Sequence, residues 1–238
     1  MIINDKLFND THTFFKEISQ KYIIPNIGKL KESEISDKSD HSKVTKYDLL
    51  VENELISFFN KKSFNNIISE ENSSDLLNED SFLTIDPIDG TRNFINGINK
   101  VVIMVSYIYK KESIFSIIYD PINDIFYHSH NKIIYKNFSK ITNVTYKSHI
   151  GYLGDHAKIY FKDYISNITE KKRSRSIGYD VIEVIEGQRS FMAIYSSKIW
   201  DLFPAMSFLK ILKFKSNLPN MNFDYSKLDE KIIFYAEI

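Results

Sequence analysis

The feature that most constrains this chain is Ser81-Phe82-Leu83-Thr84-Ile85 running directly into Asp86-Pro87-Ile88-Asp89-Gly90-Thr91-Arg92-Asn93-Phe94. The first five residues have the branched and aromatic character of a buried strand, and Pro87 and Gly90 are the punctuation that ends one. Asp86 and Asp89 are therefore expected at a strand's C-terminal end, where ligands of open α/β sheets collect. Asp-Pro or Asp-Gly alone is ordinary turn chemistry. Two carboxylates, a glycine and a hydroxyl following an apolar run are not explained by turn formation, and they point to the floor of a metal and phosphate site.

The rest of the composition narrows the chemistry. A chain of 238 residues can bury a substantial core, as one large domain or as two intimate halves. Its 43% hydrophobic content and its balance of 31 Lys+Arg against 31 Asp+Glu exclude a disordered chain and a polyanion-coating one. There is no cysteine, which removes disulfides, thiolate zinc sites and cysteine nucleophiles and leaves oxygen or imidazole to hold any metal. No Gly-x-Ser-x-Gly elbow occurs, which argues against a triad hydrolase. Met1 to Lys6 is not a cationic segment leading into a long apolar one, and no run approaches the roughly 18 apolar residues of a membrane span. A cytoplasmic protein is expected.

Along the chain, Leu7, Phe14, Phe15, Ile18, Tyr22 and Ile23 recur at mostly helical spacing, which predicts one amphipathic helix from Leu7 to Ile24, ended by Pro25 and Gly28. Lys31 to Ser42 reads as a polar loop or flap. Thr45 is a good N-cap, with Asp48 at the third helical position as in a capping box, and Leu55, Ile56 and Phe59 continue that helix's apolar face. Phe64 to Ile68 predicts a short strand delivering Glu70 and Glu71. Val101–Tyr109, Ser113–Tyr119 and Ile125–Tyr127 predict an antiparallel meander. It is expected to be regular, because Gly97 is the segment's one glycine, with His128 and His130 on a polar face. Asn131 to Ser148 reads as irregular and Ala157 to Ile168 as helical, so the halves divide at about 1–145 and 146–238. Val181, Ile182 and Ile185 form a helix face closed by Gly187, Arg189 to Tyr195 returns as a strand, and Lys231 to Ile238 is a terminal strand. Asp201 is read as the N-cap of a helix with Pro204 in its first turn.

Five separated segments resemble the inositol monophosphatase family of magnesium-dependent, lithium-sensitive phosphatases: Val44-Thr45-x-x-Asp48, Glu70-Glu71, Asp86 to Phe94, Tyr119-Asp120-Pro121 and Trp200-Asp201-x-x-x-Ala205. The resemblance implies a layered α-β-α-β-α sandwich. It implies that Glu70, Asp86 and the Ile88 carbonyl hold one Mg²⁺, that Asp86, Asp89 and Asp201 hold a second, and that Glu70 reaches a weaker third ion through water. Thr91 and Asp48 would orient the attacking water, Gly90 and Thr91 would offer N–H groups to phosphate, and Arg92 and Asp180 would face the substrate. The implied enzyme is a phosphomonoesterase for a small polyol or sugar phosphate such as myo-inositol 1-phosphate, with a homodimer common among relatives. A 3'(2'),5'-bisphosphate nucleotidase, a histidinol-phosphatase and a regulatory binding protein retaining the fold are the alternatives. Three departures bear on substrate: Ser69 stands where the family usually has Gly, Arg92 occupies the variable signature position, and Ile194 replaces a substrate-binding acid.

Overall fold

The computed structural model describes residues 3–72, 80–152, 169–194, 198–216 and 232–236. The helix expected over Ala157 to Ile168, the last residue of the strand expected over Arg189 to Tyr195 and the ends of the predicted terminal strand lie outside these residues. The first helix, α1 (Asp5–Ile18), is capped by the Asn4 side chain. It passes into a π-helical turn, Ser19–Ile23, where a single α-helix was expected. A short hairpin, β1 (Ile35–Asp37) and β2 (Lys43–Thr45), occupies the segment read as a polar loop. Helix α2 (Lys46–Lys61) begins with the capping box the sequence implies, Thr45 accepting from the Tyr47 and Asp48 N–H groups and Asp48 accepting in return from Thr45.

A seven-stranded sheet forms the centre, in the spatial order β3 (Ile67–Ser69), β4 (Ser81–Asp89), β5 (Val102–Tyr109), β6 (Glu112–Asp120), β7 (Ile125–His130), β8 (Ile133–Lys136), β9 (Ser139–Ile141). β3 runs parallel to β4 and each later neighbour is antiparallel. The short helix α3 (Thr91–Ile95) follows β4 directly. Side chains alternate across the sheet. Leu83, Ile85, Ile103, Val105, Ile117 and Phe126 pack with Phe8 and Phe15 of α1 and Val51, Leu55 and Phe59 of α2. Val102, Met104, Ile118 and Tyr127 pack on the other face against α4 (Ile177–Ile185) and α5 (Ile199–Ile211). Two further small sheets lie in the second half: β10 (Ile150–Gly151) pairs with β11 (Thr169–Glu170), and a three-stranded sheet has the order β12 (Phe191–Ile194), β14 (Ile232–Tyr235), β13 (Lys215–Ser216). This is the mixed α/β layering expected. Complete burial of aliphatic and aromatic side chains is worth about 1.5–3 kcal/mol each, so the central sheet, covered on both faces, is the rigid frame that carries everything at its edge.

Four local expectations are corrected. The β5–β6 pair is bulged: Tyr107 faces Phe115 while Ile108 faces Ser113, so Ile114 is the extra residue. A bulge of this kind needs no glycine, and the Ser106, Ser113 and Ser116 hydroxyls beside it bond to one another at 2.7–2.8 Å. His128 is on no polar face. It is 4% exposed and stacked between Phe8 and Tyr135, with ring centroids 4.3 and 4.7 Å away, and burial pushes its pKa down to about 4. The segment 131–148 contains two paired strands, because Ile133, Ile134 and Ile141 extend the sheet. Asp201 is not an N-cap. α5 starts two residues earlier at Ile199, which places Asp201 within the first turn and Pro204 inside the helix.

Candidate metal and phosphate site

The site begins with a parity change in β4. In a regular strand residues three apart point to opposite faces, so Asp86 and Asp89 would be separated by the sheet. Instead Asp86 pairs with Met104 and Asp89 with Val102, a step of three on one strand against two on the other. The extra residue in the Pro87-Ile88 segment turns both aspartates to the face of Met104 and Val102, against α4 and α5. Asp201, in the first turn of α5, meets them there. One oxygen from each of Asp86, Asp89 and Asp201 lies within 4.8 Å of the others, and all three residues are buried, at 2%, 8% and 9% exposure.

Each carboxylate is held by local structure. Asp86 Oδ1 accepts the Ile88 N–H at 3.0 Å, closing the bend. Asp89 accepts three donors at the start of α4: the Ser176 hydroxyl at 2.7 Å, the Ile177 N–H at 3.2 Å and the Gly178 N–H at 2.6 Å. Ser176 is also the N-cap of α4, so one hydroxyl joins the helix start to the buried Asp89 carboxylate. Nothing but a hydrogen fits at Gly178: a Cβ there would lie 2.5 Å from Val102 Cγ2, 2.7 Å from Met104 Sδ and 3.1 Å from Asp89 Oδ2. Gly178→Ala is expected to push α4 off the sheet, at about 1–3 kcal/mol of overpacking, and to lower the melting temperature by about 5 °C. A thermal scan showing no loss would contradict this packing.

At the start of α3, Thr91 Oγ1 lies 3.1 Å from Asp48 Oδ1 and 3.2 Å from the Ile88 carbonyl. Asp48 is fully buried, with Oδ2 accepting from the Thr45 N–H and hydroxyl. Gly90, at φ +96°, precedes Thr91 and leaves no room for a side chain, since a Cβ would stand 2.8 Å from the Lys100 carbonyl. Glu70 is not among the clustered aspartates. Its Oε1 is 2.7 Å from Lys38 Nζ, which is also 2.6 Å from Glu71 Oε1. Burial opposes the Lys38 charge, but Glu70 and Glu71 hold its ammonium above the usual lysine range. Arg92 is exposed and reaches the His41 carbonyl of the β1–β2 turn at 3.5 Å. Asp180 is paired with the fully buried Arg189, Nη2 to Oδ1 2.9 Å, and Arg189 Nη2 also donates to Glu183 at 2.7 Å. Sequence reading missed Lys38, Ser176 and Arg189. A serine just before the apolar face of α4 is an N-cap signal, whereas Lys38 and Arg189 carry none.

Electrostatics sets what this arrangement can do. Two unit charges 4 Å apart repel by roughly 4 kcal/mol at an effective dielectric of 20. Burial, then the neighbouring carboxylates, raise Asp86 well above the carboxylate range, and burial raises Asp89 to about 6 and Asp48 to about 7. Such a cluster is a strong sink for either protons or a cation. Its donors are oxygens alone, the set taken by Mg²⁺ or Ca²⁺ and not by thiophilic metals. The chemistry of the donors therefore fits a hard divalent ion.

The inositol monophosphatase family model matches residues 15–209. The chain is 26% identical over 202 residues to a fructose-1,6-bisphosphatase/inositol-1-monophosphatase of Aquifex aeolicus, an alignment covering 78% of this chain and 75% of the relative. Its fold is similar to that of the Thermotoga maritima inositol monophosphatase, with a TM-score of 0.77 at 17% identity over 98% of this chain and 92% of the other. It is similar also to a calcium-bound family member from Staphylococcus aureus, with a TM-score of 0.78 at 18% identity over 99% and 92%. The chain belongs to the inositol monophosphatase family. Its class of activity is that of a phosphoric monoester hydrolase. Among the described residues no helix is long and apolar enough to cross a membrane.

Proposed function

We propose that this chain hydrolyses the phosphate monoester of a small polyol or sugar, with myo-inositol 1-phosphate the first ester to test, using two to three Mg²⁺ ions. The buried Asp86, Asp89 and Asp201 trio beside the Thr91–Asp48 pair carries the reading. Glu70, Asp86, Asp89, Asp201 and the Ile88 carbonyl would hold the ions. Bound ions supply neutralisation of phosphate charge and a lowered water pKa. Asp48 and Thr91 act as a relay: Thr91 Oγ1 donates to Asp48 Oδ1 and keeps a lone pair to orient a water, and Asp48 accepts the proton that water releases. The N–H groups of Gly90 and Thr91, in the first turn of α3, face developing negative charge on phosphate. On this reading the 1–145 half supplies Asp48, Glu70, Asp86 and Asp89, and the 146–238 half completes the site with Asp201.

Arg92 favours a second reading, a substrate with an additional anionic group. With Lys43 it lines a cavity of about 450 Å³ shared with Glu32, Ile35, Ile95 and Asn96, and the Aquifex aeolicus relative is named for a bisphosphate as well as a monophosphate. Phosphate release from a panel of mono- and bisphosphate esters, with and without Mg²⁺, separates the two. Preference for bisphosphates that Arg92→Ala abolishes selects the second, and silence on every ester with Mg²⁺ present rejects both.

The raised carboxyls also set a pH dependence. Groups whose folded pKa lies above the unfolded value bind extra protons when folded, so stability rises as pH falls through that window. Asp48 at about 7 and Asp89 at about 6, with Asp86 raised as well, place it mainly between pH 8 and 6.5, and depressed His128 opposes it increasingly below about pH 7. In chelator the melting temperature is expected to rise by about 5 °C over that interval, from roughly 1.4 kcal/mol per proton per pH unit. Saturating Mg²⁺ should flatten the slope and raise stability throughout. A chelated protein that loses stability on acidification from pH 8 to 6.5 would count against a metal-free carboxylate cluster.

A further inference from the structure

Glu52 is a buried acid, 3% exposed, that the proposed chemistry leaves unused. It lies on α2 one turn after Asp48, and its carboxylate faces the turn that presents Glu70. Oε2 accepts the Glu71 N–H at 2.9 Å, and the Ser69 hydroxyl, shared with the Asn72 carbonyl at 3.4 Å, is a second and weaker donor beside the same carboxylate. The residue between these two donors is Glu70, whose own N–H donates to the Ile85 carbonyl of β4 at 3.1 Å. Three consecutive residues are thus held by α2 on one side and β4 on the other.

Register explains the placement. Ser69 pairs with Ile85, whose side chain packs on α2 with Val51 and Leu55, so Ser69 faces α2 as well. The next step along both parallel strands sets Glu70 beside Asp86, on the opposite face. The departure at Ser69 from the family's usual glycine then has a physical role: a glycine has no hydroxyl to give Glu52. A buried carboxylate is costly without donors, and here both of its donors come from the residues flanking one acid.

We propose that Glu52 and Ser69 are positioning residues that hold Glu70 toward Asp86 for cation binding. The inference rests on the metal reading given above. Partners of this kind, one step removed from a metal, typically change affinity by 10–100-fold when removed. In Glu52→Gln the amide oxygen still accepts the Glu71 N–H and the Ser69 hydroxyl rotates to accept from the amide, so orientation survives without the charge. In Glu52→Ala both restraints are lost.

The test is calorimetric titration of the full chain with Mg²⁺ alone, alongside the Mg²⁺-induced shift in melting temperature. Glu52→Ala is expected to raise the Mg²⁺ concentration at half-saturation about tenfold or more, with Glu52→Gln recovering most of that loss. In a double-mutant cycle, Glu52→Ala added to Glu70→Gln should cost nothing further, because the restrained group is already gone. A wild-type chain with no Mg²⁺ response overturns the metal reading and this inference together. A wild-type response left unchanged in Glu52→Ala, or additive losses in the cycle, overturns the positioning role alone. Ser69→Ala removes one restraint and spares the other, so it carries the same test if Glu52→Ala does not fold. A shift of about threefold is expected, as part of the range for such partners, and none would overturn the role.

Discussion

Asp86→Asn is expected to abolish Mg²⁺-dependent phosphate release, by at least about 10³-fold, while making the metal-free protein more stable. The two effects have one origin. Asp86 is the buried acid facing Glu70, Asp89 and Asp201 at once, and their charges together with burial drive its carboxyl far above the usual range. An amide of the same shape keeps the oxygen that accepts the Ile88 N–H at 3.0 Å, so the bend in β4 survives. It removes one member of a like-charged cluster whose pairwise repulsion is of order 4 kcal/mol at 4 Å. With part of that relieved by protonation in the wild type, a gain of about 2 kcal/mol, or roughly 5 °C, is expected in chelator at pH 8. The ligand that two ions would share is lost at the same time, so the Mg²⁺-induced rise in melting temperature should vanish. Paired thermal scans with chelator and with Mg²⁺ decide it: a metal-free Asp86→Asn protein less stable than wild type would mean that Asp86 is structural.

Asp48→Asn is expected to reduce turnover by about 10²–10⁴-fold, the range associated with a positioned acid or base, with stability within about 1 kcal/mol of wild type, as for a retained cap. Asp48 has two jobs, on separate oxygens. Oδ2 closes the capping box of α2 through Thr45, and Oδ1 receives the Thr91 hydroxyl. An asparagine can keep the first with its carbonyl oxygen. Its amide nitrogen then meets Thr91 as a donor and cannot accept a proton. Loss of turnover with Mg²⁺ affinity and melting temperature retained would separate proton transfer from capping. Activity within threefold of wild type would leave Asp48 as a cap alone.

The reach of the sequence differs from residue to residue. Thr45 and Asp48 were legible because a capping box is a four-residue pattern, and the observed box has the expected partners. The apolar run before Asp86 identified β4, and the face through Val181, Ile182 and Ile185 identified α4, ending near Gly187 at φ +72°. The meander was recognised but its bulge was not, because the extra residue is Ile114, an ordinary strand former that local preference cannot distinguish. His128 was misplaced because alternation says which residues share a face and not what covers it. Here the cover is aromatic.

The candidate site shows the same division. Residue types and order within 81–94 determined that two carboxylates would end a buried strand and be followed by a glycine and a hydroxyl, since these depend on chemistry encoded within a few residues. The tertiary structure decided that Asp86 and Asp89 share a face, because that depends on how β4 slips one residue against β5. It also decided that Asp89 sits on the N–H groups of α4, 88 and 89 residues away, that Lys38 rests between Glu70 and Glu71, and that Asp180 turns to Arg189. Charges are placed by long-range packing, because the burial that makes a carboxylate need a partner is a property of the assembled layers. The segment itself determined only which groups would be available to be buried.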